Sequence, residues 1–225
     1  MKTLKIEMIH DVVCSWCHIG YHNISRALER VADEVSAEFH YLPFLLNPGL
    51  APQGKDIVEL LCQRNRWSVA EAMAYREQLL AKTREVGVTI DFGKRTRYYP
   101  TLNAHRLILA AEDIGRQREV HQALLQAYHV EGENIGDFSV LGNIAKRIGL
   151  ADDVIVQAMT SDAISRKMQH LSERVGHHGV RSVPAFILNG SRFVSGSHSA
   201  DFFEQLIRLE CLVETPGKEN FTCPV

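Results

Sequence analysis

Asp11-Val12-Val13-Cys14-Ser15-Trp16-Cys17-His18 is the stretch that decides the fold. Upstream of it, Leu4, Ile6 and Met8 alternate with Lys5 and Glu7, a period of two that predicts a short strand with one buried face. Downstream the period lengthens. Ile24, Leu28, Val31 and Val35 recur at helical spacing, with Arg26, Glu29 and Arg30 between them. The stretch is therefore a tight turn from strand to helix, and it carries two cysteines three residues apart.

That position has chemical consequences. Free amide N–H groups and the positive end of the helix dipole stabilise an anion at a helix start, here a thiolate at Cys14. On one helical turn the Cys17 sulfur comes beneath the Cys14 sulfur, within reach of a disulfide. A dithiol so placed can attack a disulfide, form a mixed disulfide and resolve it. Three other readings stay open on the residues alone. A zinc site needs two further ligands, and beyond His177-His178 no second paired motif offers them. Cys14 to His18 matches the attachment pattern of a c-type haem but lacks an export signal, and two buried cysteines without chemistry form the third.

Composition narrows the class. The 225 residues carry 25 Lys+Arg against 27 Asp+Glu, a net charge of −2, so no positive field is present to hold a nucleic acid. Hydrophobic residues at 45% and charged ones at 23% predict a globular chain of one or two domains. No apolar run approaches the roughly 18 residues of a membrane span, and Lys2, Lys5 and Glu7 interrupt any secretory signal. A cytoplasmic protein without a membrane partner is expected. Five cysteines, Cys14, Cys17, Cys62, Cys211 and Cys223, are too sparse for a disulfide scaffold. Cys62 reads as a small buried hydrophobe, whereas Cys211 and Cys223 are able to pair or to act as a redox switch.

Further along, a second strand is expected over 38–46, followed by the breakers Asn47-Pro48-Gly49 and Pro52-Gln53-Gly54. From Asp56 to Gly176 the pattern is almost wholly helical, with Ser68 and Glu71 spaced as a capping box and Ser161 as a further cap. Strand signal returns at Ala185 to Leu188. Asn189-Gly190 is a favoured hairpin turn, and Arg192-Phe193-Val194 returns beside the first strand. Ser199 can cap a last helix lined by Phe202, Leu206, Leu209 and Val213. In Arg181-Ser182-Val183-Pro184-Ala185-Phe186 a proline opens an apolar strand, which requires an edge or a special bend. The order strand–helix–strand, helical block, hairpin–helix predicts one α/β domain (1–53 plus 177–214) interrupted by an inserted helical domain (54–176), with a tail at 215–225.

A cysteine pair at a helix start, a large helical insertion and Val183-Pro184 before a hairpin together resemble the thioredoxin fold as elaborated in the DsbA family. Asp11 through Gly20, Asn103-Ala104-His105-Arg106-Leu107 and Val194-Ser195-Gly196 resemble its FrnE-like subgroup, although Ser15 stands where that subgroup often has proline. The resemblance implies a cis Val183–Pro184 bond packed against the cysteines. It makes Cys14 the attacking thiol and Cys17 the resolving one, with Trp16 and His18 in support and His18 tuning Cys14 when protonated. The Val183 backbone would then offer its N–H and C=O to an extended peptide or to glutathione. His105 and Arg106 match the family pattern, with packing within a helix as their expected role.

The leading expectation is a cytosolic thiol–disulfide oxidoreductase acting on protein disulfides or dithiols. It needs no metal or cofactor, with glutathione as a possible substrate or cosubstrate. A glutathione-dependent isomerase or transferase is the alternative, resembling 2-hydroxychromene-2-carboxylate isomerase or the kappa-class glutathione transferases. Relatives of that kind typically lack the resolving cysteine. A holdase or partner-docking module, using a groove that the helical block forms over the active-site face, is a third class.

Overall fold

The strand read from Leu4, Ile6 and Met8 spans Lys2–His10 (β1) in the computed structural model, which describes residues 2–212. It runs parallel to β2 (Val35–Pro43), in register from Lys2 opposite Val35 to His10 opposite Pro43. On its other side lies the antiparallel β5 (Ala185–Leu188), and β6 (Arg192–Ser195) completes the order β2-β1-β5-β6. Helix α1 (Ser15–Arg30) ends earlier than its apolar stripe suggested. Val31 caps it, and Val35 opens β2 instead of closing the helix. Strand β2 begins three residues before the expected start and stops at Pro43, which has no N–H to continue a ladder.

Both faces of β1 are covered, not one. Leu4, Ile6 and Met8 are buried under α1 and α9 (Ala200–Leu212). Ile9 and Glu7 face the other side, where Leu171 and Val175 of α8 (Asp162–His177) pack with Leu42, Ala185 and Ile187. Glu7 is only 2% exposed, so its charge needs a partner, and Arg174 of α8 donates to it at 2.5 Å. Burial by itself raises the Glu7 pKa. The hydrogen bond and charge of Arg174, with Lys5 beside it, outweigh that and hold the carboxyl below its usual range.

Between the two halves lie α2 (Ile57–Asn65), α3 (Val69–Val86), α4 (Leu102–Ala110), α5 (Gln117–Leu125), α6 (Phe138–Arg147) and α7 (Asp152–Thr160). The capping box is present: Ser68 N–H donates to Glu71 at 2.7 Å, and Glu71 N–H to Ser68 Oγ at 3.3 Å. This block is not purely helical. Two residues each from β3 (Lys55–Asp56) and β4 (Arg97–Tyr98) pair as a short ribbon, too brief for any period to reveal. A boundary at 176 also cuts across the packing. Helix α8, whose end coincides with it, supplies the sheet's second covering layer.

At the hairpin, Asn189 and Gly190 take φ of 49° and 72°, the left-handed pair that a two-residue turn requires. Ser199 Oγ accepts the Phe202 N–H at 3.2 Å and so starts α9. Among the described residues no helix is long and apolar enough to cross a membrane. Val213, Cys223 and the tail at 215–225 lie outside the described residues.

Candidate active site

The turn between β1 and α1 is tied from below. Asp11 is fully buried, and its carboxylate accepts the Val13 N–H at 3.4 Å and the Leu46 N–H at 2.7 Å. Its own carbonyl accepts the Cys14 N–H at 3.0 Å. This tethering makes Cys14 the N-cap of α1. Its sulfur takes the place of a capping oxygen and accepts the Cys17 N–H at 3.3 Å. The Cys14 S–H is directed at the Val183 carbonyl, 3.7 Å away. The Val183–Pro184 bond is cis, and Pro184 packs against α1 at Gly20, where a Cβ would come within 2.9 Å of Pro184 Cγ.

The two sulfurs differ in access and in charge. Cys14 is 8% exposed and Cys17 1%, and both are free thiols. Burial pushes the Cys17 thiol well above its ordinary pKa, and the hydrogen bond and charge of Cys14 add to that. Cys17 is therefore held protonated beneath the more accessible sulfur.

Trp16 is half-buried and fixed by the insertion. Its Nε1–H donates to the Tyr75 hydroxyl of α3 at 2.9 Å. Together Cys14, Trp16, Tyr75, Trp67 and Val183 line a groove of about 380 Å³ between the cysteine turn and the helical block.

The model of the DSBA-like thioredoxin domain matches residues 5–208 of this chain. The chain belongs to that family. A curated relative, the uncharacterized protein YwbO of Bacillus subtilis, is 25% identical over 209 residues, covering 91% of this chain and 96% of the relative. Among solved structures, the probable DsbA oxidoreductase SCO1869 of Streptomyces coelicolor superposes with a TM-score of 0.84 at 23% identity, covering 96% of this chain and 94% of that one. The cytosolic disulfide reductase DsbM of Pseudomonas aeruginosa, solved with GSH, gives 0.63 at 15% identity, covering 92% and 98%.

Within this DsbA-family frame the structure gathers Cys14, Cys17, Trp16, Val183 and Pro184 around one turn and leaves His18 out. One position past Cys17, the helix turns His18 towards α5 and out of the groove lining. There it lines a second cavity, of about 600 Å³, with Tyr21, His22 and Arg118. Burial, with His22 and Arg95 nearby, pushes its pKa down to about 4. A neutral imidazole facing away from the groove cannot tune Cys14 as a cation. Arg106 is a staple: its guanidinium donates to the carbonyls of Ala158, Met159 and Ser161 and to Ser165 Oγ, closing the end of α7 onto α8. Cys62 is half-buried on α2, and Cys211 is buried on α9.

Near the site lie His105, expected only to pack, and His10, His121, His129 and Arg95, which were not singled out from sequence. His105 Nε2 lies 3.7 Å from Asp11 Oδ1. His10 stacks edge-on against His105, His121 and Tyr41, with ring centroids 4.7 to 5.4 Å apart. His129 Nε2–H donates to the Val12 carbonyl at 2.9 Å. His10, His121 and His129 are fully buried, and burial first, then neighbouring imidazoles, joined by Arg118 at His121 and Arg95 at His129, lowers their pKa values well below the ordinary range. Arg95 Nη2 donates to the Val13 carbonyl at 3.1 Å. One signal was available: His121 falls on the apolar face of α5 beside Val120, Leu124 and Leu125. Among the described residues no three His, Cys, Asp or Glu side chains converge to hold a metal ion.

Proposed function

We propose that this protein is a cytoplasmic, FrnE-like thiol–disulfide oxidoreductase that cycles Cys14 and Cys17 between dithiol and disulfide. The observation that carries the reading is the asymmetry of the pair: the less buried sulfur caps a helix, and a more deeply buried, protonated one lies under it. As a thiolate, Cys14 attacks one sulfur of a substrate disulfide. A Cys14–S–S–R bond forms, the substrate S–S bond breaks, and the departing thiolate takes up a proton. Cys17 then loses its proton and attacks Cys14, releasing the second half of the substrate as a thiol. Two protein thiols are oxidised and one disulfide is reduced to two thiols. The reverse sequence oxidises a substrate dithiol.

Substrates in this reading are protein disulfides or small thiols, glutathione among them. The Val183 carbonyl, in the bend before β5 and facing Cys14, supports it, because backbone groups beside the reactive sulfur are placed to pair with an extended chain. The fold shared with DsbM, a cytosolic reductase solved with GSH, is consistent with the same setting. Cys14→Ser is expected to abolish dithiol-dependent disulfide reduction, measured as thiol release, while leaving the melting temperature close to wild type. Retention of that activity would refute the assignment.

A further inference from the structure

The groove beside Cys14 carries a charge pattern that disulfide exchange by itself does not require. Arg64, Arg76, Arg95 and Arg181 line it, and among the described residues none has a carboxylate within 4.0 Å. Arginines elsewhere are ion-paired, as Arg30, Arg147 and Arg208 are, or, like Arg97, Arg106 and Arg118, lack a carboxylate among the described residues and donate to carbonyls or a tyrosine hydroxyl. The one acid on the lining, Asp56, is occupied as the N-cap of α2 and accepts the Glu59 N–H at 2.9 Å.

Arg95 is the informative member. At 3% exposure it is the only buried Lys or Arg among the described residues. Its guanidinium lies over the rings of Phe92, Tyr98 and Tyr128 at 5.1 to 5.9 Å. One nitrogen is satisfied by the Val13 carbonyl, and Nε has no hydrogen-bond partner. Arg76, whose Nε is likewise buried and unpartnered, lies over Phe92 at 5.1 Å. A guanidinium removed from water without a counter-ion is unfavourable, and a planar carboxylate matches its paired donors. Trp16, Leu61, Trp67, Ala72 and Leu79 make much of the remaining wall apolar, with Ser15, Asn65, Thr96 and Ser182 between them. A volume of about 380 Å³ falls within the roughly 300 to 1,000 Å³ usual for small-molecule sites.

We propose that this groove selects small disulfides that carry carboxylates on an apolar body, with Arg95 and Arg76 as the groups that hold the anion. The inference rests on the thiol–disulfide reading above and names the substrate class of that same site. Because Arg95 grips the carbonyl of the residue preceding Cys14, an anion held there lies beside the attacking sulfur. The exchange is the one already written, with the carboxylate-bearing thiols as its two products.

The test uses the full chain, pre-reduced, in single-turnover oxidation by three disulfides of matched length. These are 3,3′-dithiodipropionate (anionic), bis(2-hydroxyethyl) disulfide (neutral) and cystamine (cationic), with 4,4′-dithiodibenzoate as the aromatic anion. Formation of the Cys14–Cys17 disulfide is read by alkylation and mass. In wild type, with each rate divided by that of free dithiothreitol on the same disulfide to remove leaving-group reactivity, the order expected is aromatic anion, then aliphatic anion, then neutral, then cation. In Arg76→Gln the ratio of anionic to neutral rates should fall about tenfold, the factor for one charge-assisted hydrogen bond. Arg95→Gln should lower it further, and Arg76→Gln keeps the test valid if the buried substitution prevents folding. A ratio that Arg76→Gln leaves unchanged, or a wild type oxidised equally by all charges, overturns the inference. A wild type oxidised by none of the four overturns the parent reading instead.

Discussion

Cys17→Ser is expected to accumulate as a covalent adduct with substrate. Cys14 in that variant still caps α1 and still faces the Val183 carbonyl, so the attack and the first bond exchange proceed. What is lost is the sulfur beneath it. Resolution then depends on an external thiol in place of one held at high effective concentration, so steady-state turnover should drop by at least about a thousandfold. Non-reducing mass analysis should show the chain plus half of the substrate, with the added mass mapped to Cys14. The buried position of Cys17 makes the result sharp, because a serine there has no route by which to displace the substrate. A variant that shows no adduct yet retains a glutathione-dependent isomerisation would favour the isomerase or transferase reading instead.

Acidification should unfold this protein well above the pH at which carboxylates titrate. His10, His121 and His129 are buried and neutral, with pKa values lowered first by desolvation. Once unfolded, the same imidazoles titrate near 6.5, so below that pH the unfolded chain binds protons that the folded one excludes. The sign follows: their full contribution is present above about pH 6.5 and is lost as pH falls. At pH 5 each costs on the order of 2 kcal/mol, comparable in sum to the roughly 5–15 kcal/mol of a typical domain. Denaturant melts between pH 7.5 and 5 should therefore show a steep fall in stability beginning near pH 6.5. His121→Phe keeps an aromatic ring in the stack and removes two nitrogens without hydrogen-bond partners, so its acid midpoint should move down. An acid transition confined to the carboxylate range, and identical in the variant, would contradict the electrostatic account of this cluster.

How much was legible beforehand depended on whether the signal was local. The strand-to-helix turn, the Ser68–Glu71 cap, the Asn189-Gly190 hairpin and the Ser199 cap are each decided by a few adjacent residues, and each appears where its residues indicate. The second covered face of β1 was not legible, because Glu7 reads as solvent-facing until Arg174, 167 positions away, is brought beside it. The arginines of the groove were missed for the same reason. Arg95 lies on a stretch with no regular period and meets Cys14's neighbour Val13 only in three dimensions. His18 misled in the opposite direction. Adjacency to Cys17 suggested a shared site, but a helix turns about 100° per residue, and that rotation put the ring into another cavity. The histidines around His10 come from β1, α4, α5 and the π-helical turn Gln126–Val130 that follows α5, so no spacing within one element announces them.

Whether Cys14 and Cys17 form a redox pair is decided by equilibrating the full chain across a series of reduced-to-oxidised glutathione ratios, trapping thiols by alkylation and mapping the bridged residues by mass. The expected result is a single two-electron transition in which Cys14 and Cys17 lose their free thiols together, with Cys62 and Cys211 still alkylated throughout. A pair that stays reduced over the whole series, or a disulfide that joins Cys14 to any cysteine other than Cys17, would contradict it.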